Sequence, residues 1–568
     1  MIVAEYIADF LVKKKITHIF ELSGGMITYL LDEIYKTQKI DIITMHHEQG
    51  ASFAADGYAR VKRIPGIALA TSGPGATNLL TAMGSCYYDS VPAIFITGQV
   101  NTHELKGNRN IRQLGFQETD IVSMASPITK YCVQITHADE IEVELNKAFE
   151  IAMQSRQGPV LIDIPMNIQR SEIILKNFVS QKTKEPTEFK QLQELLNEIE
   201  KSSRPLILSG RGVVATDAAE VLKKVSEKFN IPVVSTLLGL GSMGYHHPNF
   251  AGFIGSYGNR WANISLGTCD LLIVVGARLD IRQTGADVEG FSKDKKIFHI
   301  DIEPAEINNR VKNSIPIVGD VKEFLLALNK VTATISKDDI WKKNIQKLKR
   351  TWSDLDELKD CVGINPNVMM HKVSQHSKQA GSFLADVGSH QMWAAQSLEI
   401  DEDQFFITSG GMGAMGFALP ASIGACLASG KPSVCICGDG GFQLNIQELQ
   451  TIVRNKLPIK IVVMNNNSLG MIRQFQDSYF DGRHQSTVWG YSAPDFEKIA
   501  VAYGIKAITI KDESNMDYAL EAMWANTNEP FLMQVMIDNK TNVYPKIAFG
   551  KPITEMEPLS LPNAIEST

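Results

Sequence analysis

The 568-residue sequence has no Cys-x-x-Cys pair, no basic stripe and no run of about 18 apolar residues. Each absence excludes something. Seven cysteines (Cys86, Cys132, Cys269, Cys361, Cys426, Cys435 and Cys437), odd in number and scattered, do not build a disulfide framework. They read as buried thiols of a reducing, cytoplasmic compartment. Cys435 and Cys437 stand two apart inside an apolar run, which suits one face of a core strand better than a metal site. Without a long apolar run no membrane span is expected, and Glu5 and Asp9 break the N-terminal apolar pattern that a signal peptide would need. Lys and Arg number 56 against 63 Asp and Glu, a net charge of −7 with no stripe to neutralise a phosphate backbone. Nucleic acid is therefore not an expected partner.

What is present is the composition of a folded protein, 44% apolar and 21% charged, long enough for about three domains. Short apolar runs (IDIITM, GIALATS, AIFITGQV, PVLIDIP, PLILSG, LLIVVGARLD, KIFHIDI, SFLADVG, SVCICGDG, IKIVVMNNN, FLMQVMID) alternate with amphipathic stretches, which argues for parallel α/β sheets. Polar segments at 180–203 and 329–360 read as helical linkers on the surface. The expected domains are 1–175, 190–330 and 360–545, with 546–568 as a tail that is either a strap or a loose end. TSGPGATNLLTAM at 71–83 echoes TSGGMGAMGFALPASIGA at 408–425, which hints at related halves without amounting to a repeat.

The strongest chemical signal is Gly438-Asp439-Gly440-Gly441, placed between the apolar run SVCIC and the amphipathic FQLNIQELQTIVR. A strand, a glycine turn and a helix N-terminus together suit a phosphate. The next apolar run ends in Asn465-Asn466-Asn467-Ser468, at the same carboxyl edge. A hard divalent ion takes one or two protein carboxylates and fills its remaining positions from phosphates, carbonyls and water, so Asp439 and Asn466 could bridge Mg²⁺ to a diphosphate. Alone, GDGG is as well read as a turn.

GDGG joined to the asparagine cluster resembles the thiamine diphosphate (ThDP) motif of ThDP-dependent enzymes. HEQGASFAADGYAR, TSGPGATN, GQV with FQETDIVS, GARLDIRQTG, DVGSHQMWAAQ and NNNSLGMIRQFQ extend the resemblance to the acetolactate synthase branch over almost the whole chain. It implies three doubly wound parallel-sheet α/β domains: one for the pyrimidine, a central FAD-type domain, and one for the diphosphate and Mg²⁺. It also implies a homodimer or homotetramer with shared active sites.

The same resemblance carries roles onto residues. Glu48 would hold the pyrimidine and relay a proton, a task that needs a sheltered carboxyl, although a glutamate favoured by a helix dipole would look the same in sequence. Gly25, Phe116 and Gln117 would line the reaction chamber. Thr71, Pro74 and Asn78 would sit beside the pyrimidine. Val387, Gly388, Ser389, His390, Gly438, Gly440, Gly441 and Met471 would sit near the diphosphate. Gly413 and Met415 would bend the cofactor, while a core methionine explains Met415 equally well. Asp439, Asn466 and the Ser468 carbonyl would bind the metal. Arg156, Gly210, Arg211, Gly212, Thr236, Leu237, Gly276, Arg278, Asp280, Arg282, Asp301 and Asp320 would meet FAD, which in that branch is a structural relic.

The pattern breaks near the substrate. Phe475 stands where a tryptophan is usual, Met166 replaces a lysine, and Met26 alters the loop beside the thiazolium. Such changes redirect an acceptor without touching shared chemistry. The implied activity is decarboxylation of pyruvate and transfer of the two-carbon hydroxyethyl unit to a second carbonyl. The acceptor is either pyruvate, giving 2-acetolactate, or a ketone such as a nucleotide-linked keto sugar, as in the yersiniose-type carboligases. A simple 2-oxo acid decarboxylase, a flavin-linked pyruvate oxidase and a non-catalytic scaffold are the alternatives.

Overall fold

The computed structural model describes residues 1–175, 187–332 and 335–563. The apolar runs become strands because residues apolar on both faces are stable only inside a sheet that helices cover twice. Eighteen strands make three six-stranded parallel sheets.

The first sheet holds β1 (His18–Leu22), β2 (Asp41–Thr44), β3 (Gly66–Ala70), β4 (Ala93–Gln99), β5 (Tyr131–Gln134) and β6 (Pro159–Pro165), in the order β2-β1-β3-β4-β6-β5. The central sheet holds β7 (Pro205–Ser209), β8 (Val233–Ser235), β9 (Phe250–Phe253), β10 (Leu271–Val275), β11 (Lys296–Asp301) and β12 (Ile315–Val318), in the order β12-β11-β10-β7-β8-β9. The third holds β13 (Ser382–Ala385), β14 (Phe405–Thr408), β15 (Ser433–Gly438), β16 (Ile459–Asn465), β17 (Lys506–Ile510) and β18 (Phe531–Met536), in the order β14-β13-β15-β16-β18-β17. Position for position, the first and third sheets share one topology. In each, the order reverses between the first and third strands of the unit, and that reversal opens a ligand crevice at the carboxyl edge.

The shared topology corrects the sequence echo. Thr71 follows the third strand of its unit, whereas Thr408 ends the second strand of its own, so the two TSG motifs are not equivalent. The topological counterpart of TSGPGATN is GDGGFQLN. The halves are related, but through sheet order.

Helices Glu48–Lys62 and Ala418–Ser429, each following the second strand of its unit, pack against one another. The seam is built from small residues: a Cβ on Gly57 would lie 2.1 Å from the Ala421 carbonyl oxygen, and one on Gly424 would lie 1.8 Å from that of Ala54.

Both expected linkers turn out to be more than linkers. Helix Leu192–Lys201 buries Leu195, Leu196 and Ile199 in the core that contains Phe324, and helix Ile340–Thr351 buries Trp341 and Ile345 beside Trp261. Lysines and glutamates around each apolar stripe disguised its i, i+3, i+4 spacing. Residues 180–186 lie outside the described residues. The C-terminal segment straps the central unit, where β19 (Lys546–Ile547) pairs with β20 (Met556–Glu557) and Arg260 donates to the Met556 and Glu557 carbonyls (both 3.1 Å). Five cysteines are buried, while Cys132 and Cys361 are only partly so; all seven are free thiols. Among the described residues no helix is long and apolar enough to cross a membrane.

Candidate active site

The crevice of the first unit collects the loops after β1, β2 and β3. Glu48 opens its helix and is buried at 8% exposure, where the positive end of the helix favours a carboxylate. Asn78 Nδ2 donates to its Oε2 (2.9 Å), and Oε1 accepts no hydrogen bond among the described residues. The turn Gly73-Pro74-Gly75 lies between Glu48 and Gln117: a Cβ on Gly75 would stand 3.2 Å from Glu48 Oε1, and one on Gly73 would stand 3.0 Å from Gln117 Cβ. Thr71 Oγ1 accepts the Met26 N–H (3.3 Å), fixing the loop that carries Gly25, beside which the space is open. Glu48, Thr71, Pro74, Asn78, Gln117 and the Gly25–Met26 loop therefore form one group. Phe116 stands out from it at 80% exposure. Met166 starts the short helix Met166–Gln169, whose Gln169 Nε2 donates to the Met26 carbonyl (2.8 Å).

In the third unit, the loop Asp386–His390 after β13 meets the GDGG turn after β15. A Cβ on Gly438 would lie 2.7 Å from His390 Nδ1, so only glycine lets ring and strand end meet. His390 is buried, which pushes its pKa down to about 3 and keeps the imidazole neutral. Burial pushes Asp439 up to about 6. Among the described residues, His390 Nε2, Asp439 Oδ2 and Ser468 Oγ are buried and have no hydrogen-bond partner. An orphaned buried polar group costs about 1–3 kcal/mol, so three around one crevice point to a polar ligand. Asn466 lies in the loop after β16, and its Oδ1 accepts the Ser468 N–H (3.2 Å). No three His, Cys, Asp or Glu side chains among the described residues could form a metal cage by themselves. One carboxylate with amide and carbonyl oxygens suits Mg²⁺ that shares its remaining positions with a diphosphate. Gly413 has φ +66°, and the Met415 methyl lies near Gly440. Met471 packs against the core of the third sheet.

Two residues that sequence reasoning passed over organise these groups. Asp386, fully buried and pushed by burial to about 6, accepts N–H groups from Val387 (2.7 Å), Gly416 (3.0 Å) and Ala418 (3.0 Å), and so ties the loop after β13 to the segment that follows Met415. Glu448, also fully buried, accepts the His46 N–H (3.1 Å) and the Thr451 hydroxyl (2.7 Å). It thereby holds the turn before Glu48 from the other unit. The signal available in sequence was an aspartate directly after an apolar run and a glutamate inside the amphipathic stretch after GDGG.

The central unit contributes a cavity of about 640 Å³ where all three units meet, with Tyr88 and Ser90 on one side and Gly410 and Gly411 on another. Every residue expected to meet FAD lines it except Gly210, which directly precedes Arg211 and packs on the Gly276 backbone: a Cβ there would lie 2.2 Å from the Gly276 carbonyl oxygen. Arg211 donates to the Asp89 carbonyl (3.1 Å) and pairs with no carboxylate among the described residues; burial, then repulsion from Arg60, lowers it to about 10. Such a cation suits an anionic ligand. Burial holds Asp301 at about 6. Asp280 caps Ile281–Thr284 and pairs with Arg278 (3.0 Å), Asp320 caps Val321–Lys330, and Arg156 pairs with Glu306 (2.7 Å). Asp89 joins the units by accepting Arg60 Nη2 (3.0 Å) and the N–H groups of Gly410 (3.0 Å) and Gly411 (2.6 Å).

Within one chain, no hydrogen bond among the described residues joins the Glu48 group to the Asp439 group. Phe475, 43% exposed on the helix Gly470–Tyr479, meets Tyr479 (4.7 Å between ring centroids) and Phe480 just past the helix end (5.9 Å) with tilted rings.

Comparison with known proteins agrees with this geometry. Residues 1–124 match the N-terminal TPP binding domain of the thiamine pyrophosphate enzymes, 192–328 their central domain, and 386–535 their C-terminal TPP binding domain. The acetolactate synthase large subunit of Cyanidium caldarium is 35% identical over 570 residues, covering 96% of this chain and 95% of that protein. The probable acetolactate synthase large subunit of Methanocaldococcus jannaschii is 38% identical over 553 residues (94% and 92%), and the large subunit of Lactococcus lactis is 37% identical over 548 (95% and 93%).

Proposed function

This chain belongs to the thiamine pyrophosphate enzyme family, in its acetolactate synthase branch, and from that premise we propose that it is a carboligase joining the two-carbon unit of decarboxylated pyruvate to a ketone. The observation that carries this reading is the pairing of two half-sites. One presents a sheltered carboxylate with a free oxygen, Glu48, and the other a trio of orphaned polar atoms on His390, Asp439 and Ser468.

Asp439, Asn466 and the Ser468 carbonyl would hold Mg²⁺, and neutral His390 would donate to the diphosphate. When bound, ThDP supplies a nucleophilic carbon and an electron sink for decarboxylation. Glu48 Oε1 is the position from which a proton can be exchanged with the cofactor's ring, while Asn78 holds Oε2 and keeps the carboxylate oriented. Gln117 packs on the Gly73 turn beside that carboxylate. As the acetolactate synthase resemblance implies, the working unit is taken to be a dimer in which each site draws one group from each copy. In the central cavity Arg211 would meet the diphosphate of FAD; a bound flavin would appear as visible absorbance in the purified protein.

For the acceptor we take a ketone larger than pyruvate. Met26, Met166 and Phe475 depart from the acetolactate synthase pattern, and Phe475 with Tyr479 presents a partly exposed aromatic surface. The test is to supply ThDP, Mg²⁺, FAD and pyruvate, with and without a keto sugar, and to follow CO₂ and products. Turnover that depends on the keto sugar supports the reading. Rapid 2-acetolactate from pyruvate alone overturns the acceptor, and free aldehyde, acetate or acetyl phosphate overturns carboligation.

A further inference from the structure

The connection between β4 and the helix Ile121–Ala125 carries a charge pattern that the acidic whole-chain balance hides. From 103 to 114 it reads HELKGNRNIRQL, with the cations Lys106, Arg109 and Arg112 and the single carboxylate Glu104. Glu104 is already engaged by the Asn101 N–H (3.0 Å) and side-chain amide (2.7 Å). Glu118 is engaged by the N–H groups of Lys106 (2.5 Å) and Leu114 (2.7 Å), and Gln113 Nε2 reaches the Glu118 carbonyl (2.9 Å). These bonds draw 106 and 113–114 onto one anchor, so the segment between them projects as a closed bulge. Arg109 donates only to the carbonyls of Leu105 and Lys106, and no carboxylate among the described residues pairs with any of the three cations. Arg109 and Arg112 are exposed.

Unpaired surface cations are ordinarily just solvated. Two features set this group apart. The anchor Glu118 adjoins Gln117, which packs on the Gly73 turn with Glu48 on its far side, so the bulge stands at the rim of the reaction site. The cations also alternate with exposed apolar side chains, Ile111 (44%), Leu114 (47%) and Phe116 (80%), which a dimer partner or a bound molecule would cover. Arginine forks match phosphate oxygens, and neighbouring apolar faces accept a flat ring.

We propose that Lys106, Arg109 and Arg112 form an anion-reading rim that holds the diphosphate of a nucleotide-linked acceptor while its ketone reaches the space beside Gln117. This rests on the ketone reading of the acceptor and names the group by which that acceptor is recognised. Binding is non-covalent and screened by salt, and decarboxylation of pyruvate does not need it.

The test uses holoenzyme loaded with ThDP, Mg²⁺ and FAD, titrated calorimetrically with uridine diphosphate, in wild type and in the double variant K106Q/R112Q. The expected result is saturable binding that weakens at least tenfold in the variant and falls with added salt, with CO₂ release from pyruvate and the melting temperature unchanged. Absence of saturable binding in wild type, or equal binding by the variant, overturns the rim. Product analysis separates the two readings. Acetolactate formed from pyruvate alone, alongside binding that the variant loses, removes the ketone acceptor and leaves the rim; keto-sugar turnover with binding unaltered in the variant removes the rim and leaves the acceptor.

Discussion

The first and third units are one topology used for two chemistries. Both run 2-1-3-4-6-5, both open a crevice where the order reverses, and the helices following their second strands face each other through Gly57 and Gly424. What differs is the chemistry at the strand ends. The first unit offers a carboxylate at a helix N-terminus, tied to an amide; the third offers an aspartate, a serine and a neutral histidine, each with a buried atom that has no partner among the described residues. A fold supplies the crevice, and a few residues after each strand decide what enters it.

The largest expected effect comes from erasing the chemistry of the first unit alone. Glu48→Gln should fold normally and lower pyruvate turnover about 10²–10⁴-fold, as read by CO₂ release with melting as the control. Asp439→Asn should instead remove the rise in melting temperature that ThDP and Mg²⁺ give the wild type, a rise set by mass action. If Glu48→Gln abolished that rise and Asp439→Asn kept it, the two units would have been assigned the wrong way round.

Next comes the seam. Gly424→Ala places a methyl 1.8 Å from the Ala54 carbonyl oxygen, closer than any backbone shift of a few tenths of an ångström relieves. It should cost at least about 1–3 kcal/mol in denaturant unfolding. Its mirror Gly57→Ala, at 2.1 Å from Ala421, should cost a similar amount if the two helices are truly equivalent.

The smallest effect marks where the third unit is fastened and the first is not. His371 bridges Asp354 (2.8 Å) and Glu399 (2.9 Å); burial lowers its pKa, but both carboxylates together carry it up to about 9. A raised histidine pKa contributes stability that is complete below its ordinary 6.5 and lost as pH rises through 9. Melting followed from pH 6 to 10 should show a decline on the order of 2 kcal/mol over that window, flattened in His371→Gln.

Much of this was legible in sequence for a physical reason. Strands buried on both faces read as continuous apolar runs, and glycines, aspartate and asparagines at the strand ends mark a crevice. Less legible were features that depend on what meets across the fold. Asp386 and Glu448 look like ordinary acids until their distant backbone N–H partners, Gly416 (30 residues away) and His46 (402 residues away), are known. The amphipathic faces of Leu192–Lys201 and Ile340–Thr351 were hidden by their charged surroundings. The TSG echo misled because short glycine-rich loops recur at different strand ends of one topology.

The central claim is that the two chemistries cooperate between copies of the chain, and mixing inactive variants tests it most directly. Glu48→Gln and Asp439→Asn chains, each inactive alone, would be unfolded and refolded together and assayed for CO₂ release from pyruvate. Random pairing makes half the dimers hybrid, each with one site wild type at both positions, so the account predicts recovery of about one quarter of wild-type activity. A mixture as inactive as its components would show that Glu48 and Asp439 serve the same site from a single chain, and would contradict it.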